Sequence, residues 1–171
     1  MLLRMVIADD EDVILDGLRE IVDWNAIGFE VAGCFRDGQS LLNALHSGLS
    51  VDAILSDIRM EGTSGIDIAQ YVHDRQLPTK VVLLSGYRDF EYARQAIGYG
   101  VSGYLTKPCA ISEIQSMFAA LHAQILREKQ SAQQADRMRT DVAAIREALH
   151  AWIGKSLLQG DGRLRGLAAQ A

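Results

Sequence analysis

The chain reads as an open α/β fold, parallel strands alternating with helices, and three observations predict it. Short apolar runs recur five times, each followed by residues at helical spacing. The third run, Ala53-Ile54-Leu55-Ser56-Asp57, is apolar until it ends in a carboxylate, and a glycine turn (Gly62, Gly65) comes next. Continuous runs of this kind are the mark of strands buried on both faces, as in parallel sheets. Four of the five runs end in polar side chains, which parallel strands would gather along one edge, where open α/β sheets bind ligands.

Each element follows in order. Residues 3–8 form a first strand ending in Asp9-Asp10-Glu11-Asp12. A helix with Val13, Ile14, Leu18, Ile21 and Val22 on one face succeeds it, its acids in the first turn where the helix dipole favours them. The segment from Asp23 to Phe29 breaks the pattern and leads to a second strand over 30–35. Asp37-Gly38 reads as a turn, and Leu41, Leu42 and Leu45 face a second helix inward. After the third strand, Ile66, Ile68, Ala69 and Val72 mark a helix stopped at Leu77-Pro78. A fourth strand covers 80–84 and ends in Ser85-Gly86; a helix over 90–99 stops at Gly100. Gly103-Tyr104-Leu105-Thr106 is a short fifth strand ending at Lys107-Pro108, and a last helix shows Ile114, Phe118, Leu121 and Ile125 on one stripe.

The 171 residues allow one domain and an appendage, with 49% hydrophobic and 23% charged residues. No apolar run has the length of a membrane span, and no secretory leader precedes Asp9, so a cytoplasmic location is expected. Two cysteines, Cys34 and Cys109, make no disulfide framework, and four scattered histidines make no metal pattern. The net charge of -5 divides unevenly: residues 1–121 carry -8 and residues 122–171 carry +3, a change of sign that marks two regions. Neither is basic enough to bind nucleic acid by itself.

Taken singly, each strand-end group has an ordinary reading as a cap, turn or solvated loop. Together they make a site. Asp9, Asp10 and Asp57 crowded at one edge raise one another's proton affinity unless a cation intervenes. Oxygen ligands with room for water and a phosphoryl group suit Mg²⁺. With the Ser85 hydroxyl and Lys107 ammonium flanking an anion on Asp57, the set would form an aspartyl phosphate.

At this point the sequence resembles the receiver domain of two-component response regulators. The resemblance rests on Ala8-Asp9-Asp10-Glu11, Ser56-Asp57-Ile58-Arg59-Met60 with Gly65, Leu84-Ser85-Gly86-Tyr87 and Tyr104-Leu105-Thr106-Lys107-Pro108, in order and spacing across residues 1–125. Asp23-Trp24…Gly28-Phe29 and the run from Ser85 to Ala93 look like the subgroup attached to AraC-type transcription regulators. The resemblance implies a doubly wound, flavodoxin-like five-stranded parallel sheet of order 2-1-3-4-5 with a C-terminal helical extension. It implies Asp57 as phosphoacceptor, supplied by a sensor histidine kinase. Mg²⁺ would be bound by Asp10, Asp57 and the Arg59 backbone carbonyl, with Asp9 acting mostly through metal-bound water. Ser85 and Lys107 would hold the phosphoryl oxygens, Ser85 and Tyr104 would form the switch, and the Lys107-Pro108 bond would be cis. Arg59 and Tyr87 would line the path of a hydrolysing water and tune dephosphorylation. One departure is Glu61, where the family usually has proline.

Beyond the receiver, apolar residues continue at helical spacing from Leu121 to Trp152, as one long helix or two. Residues 126–153 are expected as a helical linker able to form a coiled coil, the bland alternative being a helix that packs on nothing. Residues 154–171 are expected as the start of a further region. The implied whole is a phosphorylation-controlled switch that forms a homodimer and acts on DNA only through an output domain absent from this chain. Two alternatives stand beside it. A haloacid dehalogenase-type phosphatase would need its nucleophile on the first strand and a second Asp two residues later, which Ala8-Asp9-Asp10-Glu11 does not supply. A degenerate receiver, serving only as a protein-interaction module, would be expected to lack pocket residues.

Overall fold

The structure is a computed structural model, and it describes residues 2–86 and 90–158. Five strands, β1 (Leu3–Ala8), β2 (Phe29–Phe35), β3 (Ala53–Asp57), β4 (Lys80–Ser85) and β5 (Gly103–Thr106), alternate with five helices. The helices are α1 (Asp12–Ile21), α2 (Gly38–His46), α3 (Gly65–Asp74), α4 (Phe90–Gly98) and α5 (Ile111–Leu158). The strands form one parallel sheet in the order β2-β1-β3-β4-β5, bearing out the expected topology. The chain divides into two compact units, Met1–Ile125 and Leu126–Ala171.

Strand alternation fills two cores in the first unit. Val6, Ala8, Ile54 and Leu83 pack with Leu41, Ile68 and Val72 from α2 and α3. On the α5 side, Phe118 is fully buried, meeting Trp24 and Phe29 edge-to-face at 5.0 and 5.4 Å between ring centres. Ile114, Leu121 and Ile125, on the same helical stripe, are also buried.

The pattern-breaking segment before β2 therefore lends Trp24 to the core. Trp24 is buried, and its indole N–H donates to the Leu18 carbonyl at 2.8 Å, tying the loop to α1. Gly28 has φ +89 and lies against the His122 imidazole, which a Cβ at residue 28 would strike.

Two local signals act differently from their sequence reading. Asp37 begins a helix instead of closing a turn: it is the N-cap of α2, its carboxylate accepting from the Ser40 N–H at 2.6 Å. The α3 helix ends at Asp74, ahead of Pro78, with Gln76 at φ +51 carrying the reversal. In the second unit the helix continues past Gly154 to Leu158, beyond the linker boundary expected at 153.

Candidate functional site

Sheet register assembles the site. Ala8 pairs with Ser56, so the next residues, Asp9 and Asp57, stand together at the carboxyl edge of β1 and β3. The sheet order reverses between these two strands, the place where open α/β sheets leave a crevice. Ser85 ends β4 opposite Thr106, which brings Lys107 to the same edge; the Lys107 N–H donates to the Ser85 carbonyl at 2.6 Å. The Lys107-Pro108 peptide is cis.

Lys107 Nζ lies 2.8 Å from Asp9 Oδ2 and 2.5 Å from Asp57 Oδ1, bridging two carboxylates that are themselves buried. The remaining oxygens are held by backbone. Asp57 Oδ2 accepts from the Arg59 N–H at 2.7 Å, and Asp9 Oδ1 from the Glu11 N–H at 3.0 Å. Burial pushes the Asp57 carboxyl above its ordinary range; Lys107 offsets part of that rise, Asp9 adds to it, and the Arg59 N–H opposes it. Burial alone would pull the Lys107 ammonium down, but its hydrogen bonds and the two carboxylate charges leave it above the usual lysine value.

The other expected residues take distinct places. Asp10 is exposed, beside the buried Asp9. Ser85 is 1% exposed, its hydroxyl 3.0 Å from the Gly86 carbonyl. Tyr104 is partly buried against the core cluster. The Arg59 guanidinium stands 6.0 Å from the Tyr92 ring of α4. Tyr87 lies outside the described residues.

Some contributors to the site were not among the expected site groups. The backbone N–H groups of Arg59 and Glu11 act irrespective of their side chains. Ser56, fully buried, donates to the Asp57 carbonyl at 2.8 Å and fixes the strand end. Gly65 lets α3 start against that same carbonyl, which a Cβ would overlap.

The donor set fits a magnesium ion. Mg²⁺ takes one or two carboxylates and retains water, so a cage of three acids is not required. No group of three His, Cys, Asp or Glu side chains near enough to share a metal occurs among the described residues. Asp9 and Asp57 together carry more negative charge than the Lys107 ammonium between them balances.

Comparison with known proteins identifies the family. Residues 5–119 match the response regulator receiver domain, and the chain belongs to that family. It is 31% identical over 134 residues to the transcriptional regulatory protein YesN of Bacillus subtilis, covering 75% of this chain and 36% of YesN. It is 31% identical over 126 residues to the transcriptional regulatory protein HptR of Staphylococcus aureus, covering 74% and 49%. The chain thus spans between about a third and a half of these relatives. Among solved structures, it resembles the receiver domain of AraT, a response regulator from Geobacillus stearothermophilus. That match has a TM-score of 0.67 and 32% identity over 75% of this chain and 99% of the other. Full-length FixJ from B. japonicum matches with a TM-score of 0.66 and 27% identity, covering 83% and 68%. A receiver domain catalyses only its own phosphorylation and dephosphorylation and is not a metabolic enzyme. No described helix is long and apolar enough to cross a membrane.

Proposed function

We propose that Asp57 accepts a phosphoryl group from a phosphohistidine on a sensor kinase. An Asp57 carboxylate oxygen bonds to phosphorus as the phosphorus–nitrogen bond breaks, and the imidazole leaves with the electron pair. The observation that carries this reading is the Lys107 ammonium bridging Asp9 and Asp57. Anchored on Asp9, Lys107 stays beside Asp57 when one carboxylate oxygen becomes an acyl phosphate, and turns its charge to the new anion. The Ser85 hydroxyl, at the end of the neighbouring strand, supplies a hydrogen bond to a phosphoryl oxygen and draws in Tyr104 as the switch. Asp10, Asp57 and the Arg59 carbonyl would hold Mg²⁺, with Asp9 acting mostly through a metal-bound water. When bound, the ion neutralises charge on the transferring group.

The kinase has a surface to dock on. An apolar groove of about 570 Å³ between α1 and the start of α5 opens beside Lys107, lined by Val13, Ile14, Ile21, Pro108 and Ile111 among others. Val13 is 82% exposed on its rim. Phosphorylation then favours a homodimer and controls an AraC-type DNA-binding region outside these 171 residues. The resemblance of the Asp23-Trp24…Gly28-Phe29 segment and of the run from Ser85 to Ala93 to that subgroup supports this last step.

Beryllofluoride with magnesium provides the test. The parent is expected to bind one equivalent, with a spectral change at Ser85 and Tyr104, and Asp57→Asn to bind none. Absence of binding by the parent would favour a phosphorylation-independent interaction module instead.

A further inference from the structure

In the second unit, Met138, Val142, Ile145, Leu149 and Trp152 advance along α5 by steps of four, three, four and three. That is the a/d pattern of a two-stranded coiled coil, with Val142 and Leu149 at a and the other three at d. All five are more than half exposed, between 53% and 70%, so the stripe lies uncovered among the described residues of its unit. The seam has a beginning: Glu128, Ala132 and Ala135 weaken it upstream, and the two consecutive steps of three at 132-135-138 break the heptad phase.

The flanking charges specify what covers the stripe. Arg139 and Arg146 occupy successive e positions, and Asp141 the g position between them. In a parallel, in-register pair, g of one helix faces the following e of the other, so Asp141 meets the partner's Arg146, twice by symmetry. An antiparallel pair sets e against e and g against g, bringing arginine against arginine. We infer that residues 138–152 form a parallel, in-register coiled coil with a second copy of this chain, aligned by reciprocal Asp141–Arg146 pairs. Two heptads are short for a stable coil, so this seam adds to a receiver contact, which supplies the high effective concentration that a weak second contact needs. The inference rests on the homodimer of the proposed function and names its surface and direction.

The test uses the full chain with Cys34→Ser and Cys109→Ser, carrying Val142→Cys, Leu149→Cys or Thr140→Cys one at a time, in a thiol redox buffer. Each protein is examined with and without beryllofluoride and magnesium. Val142→Cys and Leu149→Cys are each expected to link to themselves, and Thr140→Cys, on the outer face, roughly tenfold less. Asp141→Arg should weaken the dimer roughly tenfold, and adding Arg146→Asp should restore it. An antiparallel pair permits self-linkage at no more than one of the two seam positions. That result, equal linkage at Thr140→Cys, no linkage at all, or no rescue by the charge swap would overturn the inference. Beryllofluoride binding, measured on the same proteins, separates a failed coil from a failed switch.

Discussion

Two stretches of one helix carry the same sequence signal and meet different fates. Ile114, Phe118, Leu121 and Ile125 are spaced like Met138, Val142, Ile145 and Leu149, yet the first set is at most 4% exposed and the second at least 53%. The difference lies in what faces them. The first stripe is met by Phe29, Trp24 and the neighbouring strands of its own unit. Apolar periodicity states that a face requires cover; only the rest of the fold decides whether the cover comes from the same chain.

The contrast is broken most forcefully at Phe118. Phe118→Ala should cost about 3–5 kcal/mol of stability, read as a lowered urea midpoint, while Ile145→Ala leaves the receiver's unfolding transition unchanged. Comparable losses from both would mean that the tail is part of the same folding unit.

Exposed apolar residues also occur in the first unit, at Val13 and Ile21, and they sharpen the comparison. A Val13→Glu variant should lose roughly tenfold in the rate of phosphotransfer from a sensor kinase and keep its rate with acetyl phosphate. Equal losses with both donors would place Val13 in the chemistry instead of the docking.

Asp57→Asn should raise the urea midpoint at neutral pH. Burial lifts the folded-state pKa of Asp57 above its unfolded value, so ionising it in the folded state costs stability as pH rises through that interval. The advantage of Asn should therefore close as pH falls below about 4, where the unfolded carboxyl is protonated too. Lys107 works the other way: its raised pKa contributes stability that is fully present below about 10.4 and lost only as pH rises through the folded value. A variant less stable than the parent at neutral pH would show that pairing outweighs burial at Asp57.

The smallest effect concerns phosphate lifetime. Arg59, two residues beyond Asp57, should shield the acyl phosphate from in-line water, and Arg59→Asn should shorten its lifetime a few-fold. The decay of phosphorylated protein after donor removal measures it. A lifetime as long as the parent's would leave Arg59 to its contact with Tyr92.

Much of this architecture was legible in the sequence, because parallel strands translate order along the chain into position along one edge. Asp9, Asp57, Ser85 and Lys107 could be placed together from strand ends alone. The Arg59 N–H on Asp57 could not, since every residue except proline offers the same donor. Nor could the reach of Lys107 to both Asp9 and Asp57, which depends on side-chain geometry. Asp37 was ambiguous because the same side-chain-to-backbone bond serves a turn and a helix cap. Trp24 and Gly28 interrupted the periodic pattern while packing against the last helix, for their partners, Phe118 and His122, are distant in sequence.

The central claim is that Asp57 is the phosphoacceptor, and intact-protein mass spectrometry after treatment with acetyl phosphate in magnesium buffer tests it most directly. The account predicts a single phosphoryl adduct on the parent, labile to hydroxylamine as an acyl phosphate is, and none on Asp57→Asn. An undiminished adduct on Asp57→Asn, or none on the parent, would contradict it.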